Sequence, residues 1–195
     1  MKKLKIKVGT KSVLFGAHCF LIHPWFVLVA WWKLYGFPWD PRLWIAFFVH
    51  DLGYWGKPNM DGPEGETHVE LGAKIMGVFG QRWADFSRYH SRFYSKKDSV
   101  KPSKLCFADK LAMCNEPDWF YLFRIRLSGE IEEYMTLAKS RNLAGEQQNK
   151  YESAKLATNS QKDWRHACVS YVERWVDEHK DGKKDNWTPS QKQYQ

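Results

Sequence analysis

A chain of 195 residues with 44% hydrophobic and 16% aromatic side chains is long enough to bury a sizeable core, which excludes a disordered polyelectrolyte and points to one domain. Its formal charge of +8 favours anionic partners, although part of the surplus lies at residues 1–7 and at Lys180, Lys183, Lys184 and Lys192, where solvated charge needs no function. Cys19, Cys106, Cys114 and Cys168 have no paired spacing, so neither a zinc ribbon nor a disulfide framework is expected, and a reducing cytoplasmic setting follows.

Helical periodicity dominates and period-two alternation is scarce, so the expected class is all-α. The stretch Val13 to Trp32 is apolar, but it contains His18, His23 and Pro24. Its uninterrupted apolar part, 24–32, is far short of the ~20 residues a bilayer requires. It reads as a buried core helix, with neither a signal peptide nor a membrane span. Pro24 suits a first helical turn and Gly36 with Pro38 ends that helix, which places His23 at its start. Asp40-Pro41 begins a second helix, Arg42 to Val49, that delivers His50 and Asp51 at its exit. Four glycines and two prolines between 53 and 66 predict a loop over the site.

Thr67 and Glu70 have the spacing of a capping box, with His68 opening a helix to about Phe79. A helix from Trp83 to Tyr94 is expected to carry Arg88, His90 and Arg92. Ser103 is placed to cap the next, whose apolar centre 106–112 is interrupted by Asp109 and Lys110. Further helices are predicted over 118–127, 130–141 and 160–179, the last with Trp164, Cys168, Tyr171 and Trp175 on one face. One domain is expected over 1–179, and the basic, polar composition of 180–195 predicts a disordered tail.

The residues with most chemistry are His23, His50, Asp51, His68, His90 and Asp109. An imidazole buried beside a carboxylate must be neutralised, and a divalent cation does so. A mixed imidazole and carboxylate set without thiolates suits Mn, Fe, Co, Ni or Zn. His23, His50, Asp51 and Asp109 suffice for one ion; His68 and His90 add ligands for a second, with Asp51 able to bridge through its two oxygens.

Between about residues 13 and 115, the segments His23-Pro-Trp-Phe-Val, His50-Asp-Leu-Gly-Tyr, His68-Val-Glu-Leu-Gly-Ala, His90-Ser-Arg and Ala108-Asp-Lys-Leu-Ala resemble successive motifs of the HD-domain metal-dependent phosphohydrolases. The His68 and His90 pair is similar to the dinuclear branch of that family, which includes diadenosine tetraphosphate hydrolases and cyclic dinucleotide phosphodiesterases. The resemblance implies an HD-type helical bundle that cleaves a phosphoester or phosphoanhydride of a nucleotide with a metal-activated hydroxide. The extra adjacent-histidine motif of the cyclic-di-GMP enzymes and a clean adenine-binding signature are both missing, so the substrate does not carry over.

Basic residues beside the ligands are the candidates for holding phosphate: Arg92 and Lys110 first, then Lys57, Arg88 and Lys74. Lys110 points about 100° away from Asp109 on an ideal helix. Glu66, in the loop, is a candidate for orienting water or protonating a leaving oxygen. Trp55 is a candidate for stacking a base, and His18 for facing the substrate. Two other classes compete: a nucleotide- or nucleic-acid-binding protein on the same scaffold, disfavoured because no basic stripe interleaved with aromatics is present, and an oxygenase built on a similar di-iron set.

Overall fold

A computed structural model describes residues 6–143 and 157–180, and every regular element in them is helical, with no strand among the described residues. The expected all-α class holds. The expected tail, from 181 onward, lies outside the described residues. No helix of the described residues is long and apolar enough to cross a membrane.

The apolar stretch read as one core helix is two. Helix α1 spans Val8–Phe15, and α2 spans His23–Tyr35, with Pro24 in its first turn. Residues 16–22 between them carry His18. Helix α3, Pro41–Val49, starts where Asp40 accepts the backbone N–H of Arg42 at 2.9 Å, and a 3₁₀ turn at Leu52–Tyr54 follows. The predicted loop contains one helical turn, α4 at Pro63–Glu66, before α5 at Val69–Met76. The predicted capping box does not form: the Thr67 hydroxyl donates to the Glu64 carbonyl at 2.7 Å, and no side chain caps α5.

The helix expected over 83–94 is broken into α6, Gln81–Arg88, and α7, Arg92–Lys97. Ser91 explains the break, because its hydroxyl accepts the N–H of Tyr94 and so starts a new helix. Helix α8 spans Lys104–Ala112; Ser103 precedes it but its hydroxyl does not cap it. The remaining helices follow their predicted bounds closely: α9 at Asp118–Ser128, α10 at Glu130–Leu143 and α11 at Gln161–His179.

The main core is built by α2, α3, α5 and α8. Ala30 on α2 and Ala108 and Ala112 on α8 are fully buried, and such small side chains let two helices approach closely. Side chains join the two at His23 and Asp109, at Lys33 and Asn115, and where Lys104 lies over the Tyr35 ring. Trp31, Phe47, Met76 and Leu105 fill the space around them. A second cluster joins α9, α10 and α11 through Ile125, Ile131 and Trp164. Phe107 stacked on Trp175 couples α8 to α11.

Candidate metal centre

Three of the six candidate ligands are aimed by the same local device. His50 Nδ1 donates to the Phe47 carbonyl at 3.0 Å, His68 Nδ1 to that of Gly65 at 2.8 Å, and His90 Nδ1 to that of Ser87 at 2.5 Å. Each imidazole follows the end of a helix (α3, α4 and α6) and bonds a carbonyl three residues back, one of the acceptors that every helix leaves unsatisfied at its C-terminus. A carbonyl only accepts, so Nδ1 carries a proton in all three and Nε2 is the nitrogen turned inward, the one left to ligate a metal. His23 comes from the opposite kind of position, the first residue of α2.

Two glycines bring these segments together. A Cβ at Gly53 would stand 1.8 Å from the His68 carbonyl oxygen, and one at Gly72 would stand 2.9 Å from the His50 Cα. Both belong to the quoted motifs, and their missing side chains let the α3 exit lie directly against α5. Tyr54, from the same segment as Asp51, stacks flat on the His68 ring at 4.0 Å and 7°.

The six side chains converge in a buried cluster, none more than 8% exposed. Asp51 divides it. Its Oδ2 lies 3.2 Å from His50 Nε2 and 3.5 Å from His23 Nε2, while its Oδ1 lies 3.4 Å from His90 Nε2 and 3.7 Å from His68 Nε2. Asp109 closes the first half, with Oδ1 at 3.0 Å from His23 Nε2 and 3.6 Å from His50 Nε2. Within each half, His23/His50/Asp51/Asp109 and Asp51/His68/His90, the ligand atoms lie within 4.8 Å of one another.

The donors fit a cation. His50 Nε2 and Asp51 Oδ2 are buried and near each other, yet neither makes a hydrogen bond. His68 Nε2 and His90 Nε2 face one another at 3.1 Å, and with Nδ1 protonated on both, two lone pairs meet there. Only a positive charge between them relieves that contact. The cluster can hold metal, and it is compatible with the HD-type site that the motifs resemble.

No family model, curated protein or solved structure matches this chain.

Burial holds the His23 and His68 imidazoles below the usual range, aided at His68 by the neighbouring His90, so both are neutral and ready to ligate at neutral pH. Asp51 and Asp109 are ionised: burial opposes this, but His50 and His18 at Asp51, and Lys110 and His23 at Asp109, outweigh it. His50 is pushed up to about 10, because the two carboxylates overcome its burial. In the cation-free protein a proton on His50 supplies the positive charge that the carboxylates demand. Metal loading at pH 7–8 is accordingly expected to expel at least one proton, with affinity rising about tenfold per pH unit for each proton displaced. Calorimetric titrations in buffers of different ionisation enthalpy would show it; heats independent of buffer would contradict it.

The other predicted site residues divide into two groups. Lys110 is at the cluster: its long side chain folds back so that Nζ donates to Asp109 Oδ2 at 3.1 Å, overcoming the unfavourable direction of its Cα–Cβ bond. His18 packs its ring against Tyr54 and His23 at centroid distances of 4.6 and 5.9 Å. Glu66 lies beside the His90 segment, accepting from Ser91 Oγ at 3.5 Å. Three cations are engaged elsewhere. Arg92 donates to the Tyr171 hydroxyl at 2.9 Å and covers Trp175 at 4.5 Å, fastening α7 to α11. Arg88 pairs with Glu70 at 2.9 Å, and Lys57 donates to Thr67 Oγ1 at 2.5 Å. Trp55 is 59% exposed, and Lys74 is on the outer side of α5.

Two residues of α10 were not singled out in the sequence. Glu130, fully buried, accepts from Ser12 Oγ at 2.7 Å, the Ala17 N–H at 2.9 Å and His18 Nδ1 at 3.3 Å, and also from Ser128 Oγ. Glu133 accepts the backbone N–H groups of Met60 and Asp61 at 2.9 Å each. One turn of helix beyond the motif region thus holds both the His18 loop and the 57–62 loop beside the cluster. Their only signal in the sequence is an acidic first turn, which any helix favours.

Proposed function

We propose that this chain is an HD-type, metal-dependent phosphohydrolase that cleaves a phosphoester or phosphoanhydride bond of a nucleotide. The observation that carries the reading is the two-sided environment of Asp51, with two imidazoles on each oxygen and Asp109 completing one half. His23, His50, Asp51 and Asp109 would hold one divalent ion, and Asp51, His68 and His90 a second. Two such ions lower the pKa of water towards neutrality and stabilise charge on phosphoryl oxygens.

The protein supplies the rest. Three backbone carbonyls fix the imidazole directions before substrate arrives, so no reorientation is needed at the moment of reaction. The Lys110 ammonium, 40% exposed while bonded to Asp109, is a point charge at the cluster for an incoming phosphate. His18, oriented by Glu130 and Ser12, offers a second polar group next to it. Glu66 remains the proposed carboxylate for orienting water or protonating the leaving oxygen. The positive net charge favours an anionic substrate over the whole approach.

The test joins metal content of protein purified without added metal to a panel of nucleotides incubated with manganese. Close to two metal equivalents, with phosphate or nucleotide release, is the expected result. No bound metal and no turnover with any supplied ion would overturn the proposal in favour of a binding protein. Iron with oxygen consumption and no phosphate release would overturn it in favour of an oxygenase.

A further inference from the structure

A second surface lies on the two helices that deliver His23, His50 and Asp51 and on the segment 36–40 between them, and none of the chemistry above uses it. Phe48, Trp25, Trp44 and Phe37 form a continuous chain of ring contacts at centroid distances of 5.8, 6.4 and 6.1 Å, and Phe37 also touches Trp32 at 5.5 Å and Trp39 at 4.6 Å. These rings are not a core. Trp39 is 85% exposed, Trp32 58%, Trp25 52% and Phe37 37%, and Val29 and Ile45 add apolar area beside them.

Aromatic residues present 150–250 Å² each when fully uncovered, so the rings alone leave on the order of 600 Å² in water. That is at the upper limit of the largest apolar patch on an ordinary monomer. With Val29 and Ile45 it approaches the ~800 Å² per partner that a stable protein interface takes.

The charges near the patch decide what fits it. Residues 25–48 contain Lys33, Asp40 and Arg42 as their only charged side chains. Arg42 and Asp40 pair at 2.7 Å, Arg42 also lies over Trp83, and Lys33 donates to Asn115. An anionic bilayer or a nucleic acid would look for outward-facing cations around the aromatics, and this face directs its cations to neighbours of its own. A near-neutral aromatic face asks for no charge matching, so it can meet an identical copy of itself across a two-fold axis. Tryptophans in such a centre are the residues that dominate binding energy.

We infer that the Trp25–Trp32–Trp39 face is a homodimer interface, occupied in solution by the same face of a second copy. Trp25 is two residues from His23 and Phe48 two from His50, so association braces the helices that frame one half of the metal cluster.

The experiment is the mass of the full-length chain in solution by light scattering or sedimentation velocity at micromolar concentration. Twice the chain mass is expected for the wild type. The Trp32→Ser/Trp39→Ser variant is expected to have the single-chain mass and unaltered helical circular dichroism, its dissociation constant raised about 100-fold or more. Trp39→Ser alone, at the most exposed position, should weaken association in the same direction. Trp119→Ser, on the separate exposed face of α9 where Trp119 is 73% exposed, should leave the dimer intact. A monomeric wild type, a dimer that survives both patch variants, or a dimer dissolved by Trp119→Ser would overturn the inference. So would a monomer that binds anionic vesicles or single-stranded DNA through these tryptophans.

Discussion

Asp51→Ala is expected to empty both halves of the metal cluster at once. Every other ligand belongs to one half, whereas each Asp51 oxygen faces a different pair of imidazoles. Metal content should fall from two equivalents to near zero, and turnover by more than about 1,000-fold, since water loses the activation that brings its pKa from 15.7 to about 7. Helical content should barely change, because the helices carrying the cluster are packed by Trp31, Phe47, Leu105 and their neighbours and do not depend on it. His68→Ala is the contrast. It removes a ligand from the second half only, so one equivalent should remain. Metal analysis and circular dichroism of the two variants separate these outcomes. Retained turnover in Asp51→Ala would sink the mechanism, and equal metal loss in both variants would sink the division into halves.

A cluster of His and Asp able to hold metal was legible in the sequence because it is a matter of residue type and order. How each ligand is aimed was not. His68 does open α5, as its N-cap, but it also follows α4, and His90, which reads as the middle of a helix, follows the end of α6; both donate back to a carbonyl three residues earlier. The periodicity of 83–94 continues through Ser91, and only the competition between Ser91 as an N-cap and the continuing helix decides the break. Apolar composition between Val13 and Trp32 likewise hides a turn at 16–22 whose polar contacts come from Glu130, more than a hundred residues away. Arg92 is singled out by its proximity to His90 in sequence, and its contacts with Tyr171 and Trp175 on α11 could not be read there. Local signals place helices and ligands; partners supplied by α10 and α11 decide what surrounds them.

Those partners make Glu130 the position where a single substitution should cost the most stability. Its carboxylate is fully buried and gathers donors from α1, the His18 loop and the end of α9. Glu130→Ala would leave Ser12, the Ala17 N–H and Ser128 facing a cavity and strip His18 of its counter-charge. Breaking a buried, hydrogen-bonded pair in this way costs about 3–5 kcal/mol. For a chain of this size that corresponds to a fall in Tm of roughly 10 °C. The loss should depend on pH in a defined way. Burial raises the Glu130 carboxyl, but His18 and the surrounding donors bring it below its ordinary 4.5, so its contribution is present above that value and lost as pH falls through the folded pKa. His18 is displaced in the other direction: burial lowers it, Asp51 and Glu130 outweigh burial, and its contribution is complete below 6.5 and lost as pH rises through the folded pKa. The gap between wild type and Glu130→Ala should therefore be widest between pH 4.5 and 6.5 and narrow on both sides. Glu130→Gln, which keeps the shape and the acceptor oxygen but not the charge, should fall between them with a flatter profile. Thermal melts across that range would settle it, and a variant as stable as wild type would show that α10 does not hold the His18 loop in place.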